Sequence, residues 1–453
     1  MSLCIHNAYR VTASGVGHGG VLVGDDGRIE ALLDGPDHAA ADTVIDARER
    51  LLFAGFVDAH VHLRDPGLTH REDFPSGTTA AAIGGVTTVM CMPNTDPPID
   101  GAERVAVTAA IGAGRSFVDF TLQATIPAVL EPGMAATWAS GITSFETSLA
   151  DGQEGVGTDR LDDPARLLDV LEAAARLDAT VGILAGNQSI TDALTTKLQA
   201  AGRDGSRATA EARPPLVEAI GIAQLVEAAR ATGARLVFRQ VNTARGFELL
   251  RRARAELGAE RIGVEVTPHN LRLTLDAVDR VGTWGQIIPP LRSAADRAAA
   301  VAALVDGTVD FVGSDHAPHA AFEKEGLSAW EARNGSPGLD TLAPAVLDLA
   351  LGGHLTLCRV AEVLGTAPAR VFGLADQKGD LRPGLDGDLV LIDPQLQRTV
   401  SPDLIKSKPG RSVFEGVHLR GWPVLTALRG EVVAENGALV GPPRGRFVAR
   451  PCA

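Results

Sequence analysis

Two histidines stand two residues apart at the end of an apolar segment, in the stretch Asp-Ala-His-Val-His-Leu-Arg at residues 58–64. In a β-strand alternate side chains share a face, so His60 and His62 could both contact one metal ion. Arg64 shares that face if the strand continues far enough. The spacing alone leaves two interpretations equally open, a metal site and a chance pair of surface histidines.

A second polar cluster, Gly-Ser-Asp-His-Ala-Pro-His at residues 313–319, follows another short apolar segment. Its Asp315 could ligate a metal, act as a base toward a metal-activated water, or cap the following loop through backbone N–H groups. The two clusters together contain four of the eleven histidines of the chain, which favours the chemical roles over the structural one.

The segments that must position these clusters alternate between strand-like and helix-like patterns. Between residues 53 and 375, eight short apolar segments are separated by helical patterns, which predicts an α/β fold with a (β/α)8 TIM-type barrel. The first and eighth strands of such a barrel are neighbours, and catalytic groups lie at the C-terminal strand ends. The two clusters are therefore expected at the same barrel mouth.

Both chain ends have a different pattern, in which short strand-like segments alternate with turn residues. Residues 1–52 and 376–453 are predicted to form one small, discontinuous β-sandwich domain beside the barrel of residues 53–375.

The composition excludes several classes of protein. A formal net charge of −14 argues against a nucleic-acid partner, which would need a clustered basic face. No apolar segment is long enough to suggest a membrane span, and the first residues lack a secretory signal pattern. The four cysteines are too widely spaced for a disulfide framework or a zinc site of paired cysteines. We expect a cytoplasmic protein with a small-molecule ligand and no membrane partner.

Six motifs carry a resemblance to a known family: DAHVHLRDPG, MPNTDPP, TPHN, PPLR, GSDHAPH and GLDT. In this order they resemble the dihydroorotase, allantoinase and hydantoinase branch of the amidohydrolase superfamily, and the resemblance extends over nearly the whole chain. It implies a barrel that holds one or two divalent metals, usually zinc. The reaction it implies is hydrolysis, or the reverse closure, of a cyclic amide.

The resemblance also implies metal ligands. His60, His62 and Asp315 match family ligands on strands one and eight, and Asp315 is also expected to act as the catalytic base. Glu146 stands where relatives have a carboxylated lysine on strand four, and it could either reach an ion or be a surface carboxylate. We expect these four residues to hold one divalent ion, with zinc favoured and iron or manganese also suitable.

Two departures from the family pattern argue against a second ion. Leu184 on the fifth strand and Gln240 on the sixth stand where relatives have metal-binding histidines. A leucine cannot ligate a metal, and an amide oxygen is a poor zinc ligand. Gln240 or Asn187 could instead donate a hydrogen bond to the oxyanion that forms during amide hydrolysis.

The substrate-binding positions resemble those of dihydroorotases. Arg64, Asn94 and His319 match positions that hold the carboxylate of the substrate, and a guanidinium suits a planar carboxylate. Arg64 could instead pair with a neighbouring acidic residue, and Asn94 could form a turn. His269 matches a family position near the end of the seventh strand and is expected to be a substrate-binding pocket residue or a structural histidine rather than a metal ligand.

Three functions remain open from the sequence. The favoured one is a dihydroorotase-like cyclic amidohydrolase that uses a single metal-activated water on a small carboxylate-bearing cyclic amide or imide. The second is a catalytically inactive subunit that scaffolds a partner such as aspartate transcarbamoylase. The third is a true dihydroorotase of pyrimidine biosynthesis. A homo-oligomer, either a dimer or a tetramer, is expected, and a homodimer that binds no partner would count against the scaffold.

Overall fold

The protein is described here by a computed structural model that covers residues 1–150 and 160–451. Its strands in this part of the chain are β1 (Leu3–Thr12), β2 (Gly15–Val23), β3 (Ile29–Asp34), β4 (Thr43–Asp46), β5 (Leu51–Ala54), β6 (Phe56–Val61), β7 (Val86–Cys91), β8 (Asp119–Leu122), β9 (Ala124–Thr125), β10 (Phe145–Ser148), β11 (Thr180–Leu184), β12 (Arg235–Phe238), β13 (Ile262–Val266), β14 (Phe311–Val312), β15 (Leu389–Thr399), β16 (His418–Leu428), β17 (Glu431–Glu435) and β18 (Ala438–Leu439).

The helices of the same residues are α1 (Phe74–Ile83), α2 (Ala102–Gly112), α3 (Gly133–Ala139), α4 (Pro164–Arg176), α5 (Gln188–Ala200), α6 (Ala208–Glu211), α7 (Pro215–Thr232), α8 (Ala244–Leu257), α9 (Pro268–Arg272), α10 (Asp276–Val281), α11 (Ala294–Val305), α12 (Leu342–Leu351), α13 (Leu357–Ala361) and α14 (Ala367–Val371). Within the described ranges, none of them is both long enough and apolar enough to cross a membrane.

The strands from β6 to β14 form a parallel barrel, which confirms the predicted fold class. Strands β6, β7 and β8 pair in one run and β9 to β14 in another, and only Gln123 separates β8 from β9. The barrel closes where the backbone N–H of His62 donates to the carbonyl of His316 at 2.8 Å. Strands β6, β7 and β8 are buried along their whole length, as expected for a parallel sheet covered by helices.

Strands from both chain ends form the small β-sandwich domain. In the described residues their order is β18-β17-β16-β15-β5-β1-β2-β3, with β4 paired to β1. Strand β5 joins the two ends, since it pairs in parallel with β1 and antiparallel with β15. The domain limits at residues 52 and 376 stay a prediction.

A buried ionic cluster connects this domain to the barrel. The Lys378 ammonium lies 2.6 Å from Asp119 of β8, and 2.8 Å and 2.7 Å from Asp386 and Asp388, which precede β15. Three carboxylates this close could also hold a metal ion. Here the ammonium occupies the space between them, and Arg429 pairs with Asp119 as well. The cluster is therefore a structural ionic junction.

Candidate active site

The structure brings His60, His62 and Asp315 together at the mouth of the barrel. The Nε2 atoms of His60 and His62 lie 3.4 Å and 3.3 Å from the same Asp315 oxygen, Oδ1. The three candidate ligand atoms lie within 4.8 Å of one another. His60 and His62 are carried by β6 and the residue after it, and Asp315 follows β14, so the closing of the barrel creates the group.

Neighbouring side chains fix the orientation of both imidazoles. His60 Nδ1 lies 2.7 Å from Oε1 of Glu265 on β13, and His62 Nδ1 lies 2.6 Å from Asn94 Oδ1. Because each Nδ1–H has an oxygen acceptor, each Nε2 lone pair is left to face Asp315. Metal-binding histidines are usually held by such a hydrogen bond on the other ring nitrogen.

Burial dominates the protonation of these groups. Burial, together with nearby Arg64, lowers the pKa of His62 well below its ordinary value, so its imidazole is neutral and able to bind a cation. Burial opposes protonation of His60 too, but the carboxylates of Glu265 and Asp315 outweigh it and raise the His60 pKa. Burial also raises the pKa of the Asp315 carboxyl. These charges favour a bound cation.

The donor set fits a divalent metal. Two imidazole nitrogens and one carboxylate oxygen, each held from behind, match the three protein ligands of a catalytic zinc site that keeps a position open. The same set also suits iron. Asp315 is oriented through its second oxygen, which accepts a hydrogen bond from Gln240 Nε2 at 2.6 Å.

Glu146, expected as a fourth ligand, is not brought into this group. Its two oxygens accept hydrogen bonds from the Nε and Nη2 atoms of Arg239, and Oε1 also accepts one from Ser144. Arg239, at the end of β12, also donates through Nη1 to Glu265 Oε2. A buried bidentate pair with arginine uses the same oxygens that a metal would need, so Glu146 lies outside the group of candidate ligands in this structure.

The two amides expected at the oxyanion have other partners. The side-chain nitrogen of Gln240 donates to Asp315 and, at 3.2 Å, to the carbonyl of Ile288. Asn187 caps α5, where its side-chain oxygen accepts from the backbone N–H of Ile190. Among the described residues it does not line the cavity at the barrel mouth. Gln240 thus positions Asp315, and Asn187 starts a helix.

Arg64 is the most unusual group near the site. Only 1% of it is exposed, and none of its three guanidinium nitrogens has a hydrogen-bond partner in the described part of the chain. The acidic neighbours that could have paired with it are engaged elsewhere, Asp65 with Arg115 and Glu72 with His316. Burial lowers the Arg64 pKa to about 9, so the group stays cationic at neutral pH. Its five donors lack acceptors.

Three further candidates lie around the same mouth. Asn94 lines the cavity, and its side-chain oxygen accepts a hydrogen bond from His62. Asn94 therefore orients one of the candidate metal ligands. The Nε2–H of His319 donates to the backbone carbonyl oxygen of Asn334 at 3.0 Å, and burial lowers the His319 pKa to about 3. His269 is buried with a pKa of about 4, and its Nε2 has no hydrogen-bond partner among the described residues.

The cavity over these groups has a volume of about 700 Å³, which includes space open to solvent. His60, His62 and Asp315 line it, and Leu184 and Ile288 are among its apolar lining residues. This combination of a few polar groups and apolar side chains suits a small cyclic ligand.

Sequence reasoning missed two functional residues, Glu265 and Arg239. Each is a charged residue in, or directly after, a buried apolar strand, in the segments Gly-Val-Glu-Val and Val-Phe-Arg-Gln. A charge in such a segment is rarely buried without a partner, so it could have been singled out. The identity of the partner, on another strand, could not be read from the sequence.

Comparison with known proteins places the chain among amidohydrolases. The model of the amidohydrolase family matches residues 51–433. The chain is 36% identical over 417 residues to a dihydroorotase of Halobacterium salinarum, covering 90% of this chain and 94% of that one. It is 32% identical over 452 residues to an L-hydantoinase of Paenarthrobacter aurescens, covering 98% and 97%, and 34% identical over 437 residues to an allantoinase of Rubrobacter xylanophilus, covering 95% of each.

The fold agrees with these matches. The solved structure of the L-hydantoinase (dihydropyrimidinase) from Arthrobacter aurescens superposes with a TM-score of 0.94 at 31% identity, over 99% of both chains.

Proposed function

The chain belongs to the amidohydrolase family, in its cyclic amidohydrolase branch, and we propose on this premise that it hydrolyses or closes a C–N bond of a small, carboxylate-bearing cyclic amide or imide. One divalent ion, with zinc favoured, would be held by His60, His62 and Asp315. The observation that carries the proposal is the pair of oriented imidazoles against Asp315, with an unpaired, buried guanidinium nearby.

The ion, when bound, would lower the pKa of a water molecule and polarise the amide carbonyl. Asp315 accepts the proton of the attacking water and returns it to the leaving amide nitrogen. Asp315 can take part in this proton transfer because its carboxylate lies against both imidazoles of the candidate site. Gln240 keeps the Asp315 carboxylate in one orientation throughout, through its hydrogen bond to Oδ2.

Arg64 is proposed to bind the carboxylate of the substrate. A carboxylate would supply the acceptors that its guanidinium lacks, and their attraction is strong where water is excluded. Among the described residues Arg64 is 1% exposed and does not line the cavity, so the proposal requires that neighbouring side chains move when the substrate binds. His319 and Asn94 complete the substrate-binding set, with His269 near Asp315.

A site with three metal ligands does not favour the alternative of an inactive scaffold. Catalytic zinc sites commonly have three protein ligands, so a site without Glu146 as a ligand is still suited to catalysis. A scaffold would also have no need for an arginine with unpaired donors. A homo-oligomer and a complex with aspartate transcarbamoylase stay predictions, as does a role in pyrimidine biosynthesis.

A matched pair of substrates tests the proposal. Metal-free protein is reconstituted with zinc and assayed on dihydroorotate and on dihydrouracil, which has the same ring without the carboxylate, and then on hydantoin and allantoin. Ring opening is followed by the loss of amide absorbance and by chromatography of the product. We expect zinc-dependent turnover that favours the carboxylate-bearing ring. No turnover of any of the four by protein with a bound ion would reject the proposal.

A further inference from the structure

Arg239 is a cation enclosed in the barrel, directly beside the candidate metal ligands. It is 3% exposed, lines the cavity, and is held by hydrogen bonds to Glu146 on one side and Glu265 on the other. Its Nη1 also donates to the carbonyl of Ala59 at 3.2 Å. The ring of Phe372 lies 5.1 Å from the guanidinium carbon.

The neighbouring strand leaves space for the ion pair between Glu146 and Arg239. Glu146 on β10 stands opposite Gly182 on β11, and a Cβ at Gly182 would lie 2.2 Å from the Glu146 carboxylate. The absence of a side chain at Gly182 therefore makes room for the pair of Glu146 and Arg239. A buried arginine with two carboxylates is costly to assemble, so its place beside the ligands calls for a function.

Charge balance indicates what that function is. Within the group that surrounds Arg239 and the candidate ion, the buried residues Glu146, Glu265 and Asp315 bring three negative charges. Arg239 supplies one positive charge, and a single divalent ion at His60, His62 and Asp315 supplies the remaining two. A second divalent ion would leave the group with a surplus of buried positive charge, which is unfavourable in a low-dielectric interior.

We propose that Arg239 is a built-in second cation of this site. Its guanidinium occupies the space between Glu146 and Glu265, prevents these carboxylates from binding a second ion, and holds Glu265 in position to orient His60. Arg239 is thus a positioning residue that sets the metal stoichiometry at one. The inference rests on the proposed function only for the location of the first ion, and its test does not depend on turnover.

The test is the number of zinc ions bound per chain, measured by equilibrium dialysis and elemental analysis of folded protein. The wild type and Arg239→Lys, which keeps the charge, are expected to bind one. Arg239→Ala and Arg239→Gln free two buried carboxylates and are expected to bind two. Arg239→Gln keeps a side-chain amide that can donate a hydrogen bond to the Glu146 carboxylate. This remaining contact protects the variant against loss of the fold.

The control is Arg292→Gln, since Arg292 is another buried arginine, hydrogen-bonded to Asn242 rather than to the metal group. It is expected to bind one ion. Two ions in the wild type would overturn the inference, as would one ion in both folded Arg239→Ala and Arg239→Gln. One ion in the wild type without turnover of any substrate would reject the proposed function and leave the role of Arg239 standing.

Discussion

Replacing Glu265 with glutamine should weaken metal binding without removing a ligand. Glu265 is fully buried, and its Oε1 accepts the His60 Nδ1–H at 2.7 Å. Glutamine keeps the shape and an acceptor oxygen but loses the charge. A hydrogen bond to a charged group contributes about 1.5–3 kcal/mol and a neutral one about 0.5–1.5 kcal/mol, so the loss is on the order of 1–1.5 kcal/mol.

That loss corresponds to roughly a tenfold weaker affinity for zinc, since about 1.4 kcal/mol changes an equilibrium tenfold. The loss of one carboxylate partner of Arg239 adds to it, because the freed positive charge repels the ion. The total effect is expected to lie within about 10- to 100-fold, the range found for groups that hold metal ligands.

The dissociation constant for zinc is measured by competition with a chromogenic chelator. The matched control is Glu218→Gln, since Glu218 is also buried but accepts hydrogen bonds from the backbone of Asn242 and Thr243. This variant should lose stability and keep its zinc affinity. An unchanged affinity in Glu265→Gln, or an equal loss in the control, would refute the reasoning.

Three further predictions follow from the contacts of other residues. Arg64→Met should lower kcat/KM for dihydroorotate by about 10- to 100-fold, the equivalent of one hydrogen bond to a charged group, and should leave any turnover of dihydrouracil nearly unchanged; equal losses on both would contradict a carboxylate-binding role. Burial raises the pKa of Glu323, but nearby His319 and the Arg71 guanidinium, whose Nε donates to both carboxylate oxygens, together hold that pKa well below its ordinary 4.5. Glu323 therefore stabilises the folded chain fully above that pH and progressively less as the pH falls below it, so the difference in Tm between the wild type and Glu323→Gln should shrink in acid; a constant difference would disprove this. Lys378→Met leaves three buried carboxylates uncompensated and should reduce the free energy of unfolding by about 3–5 kcal/mol in denaturant titrations, whereas Lys197→Met on the exposed face of α5 should have almost no effect.

Much of the fold could be predicted because it depends on local patterns. Each barrel strand is a short apolar segment, and the polar residues that end the first and eighth segments had to meet once the barrel closed. His60, His62 and Asp315 came together for this reason. The sequence could also show that Leu184 and Gln240 are unsuited to hold a second ion.

The rest of the site depends on contacts between distant strands. Glu146 looked like a ligand because nothing near it in the sequence reveals Arg239, which stands 93 residues later and takes both of its oxygens. Asn187 looked like an oxyanion donor because the helix start that it caps is a matter of local backbone geometry. The unpaired state of Arg64 likewise depends on the partners of Asp65 and Glu72, which only the folded chain shows.

A zinc titration of metal-free protein, followed by turnover of whichever cyclic amide is opened fastest, tests most directly whether one ion makes this site active. We predict that turnover rises in proportion to the zinc added and stops rising at one equivalent per chain. A rise that continues to two equivalents, or no turnover when the ion is bound, would contradict a single-ion cyclic amidohydrolase.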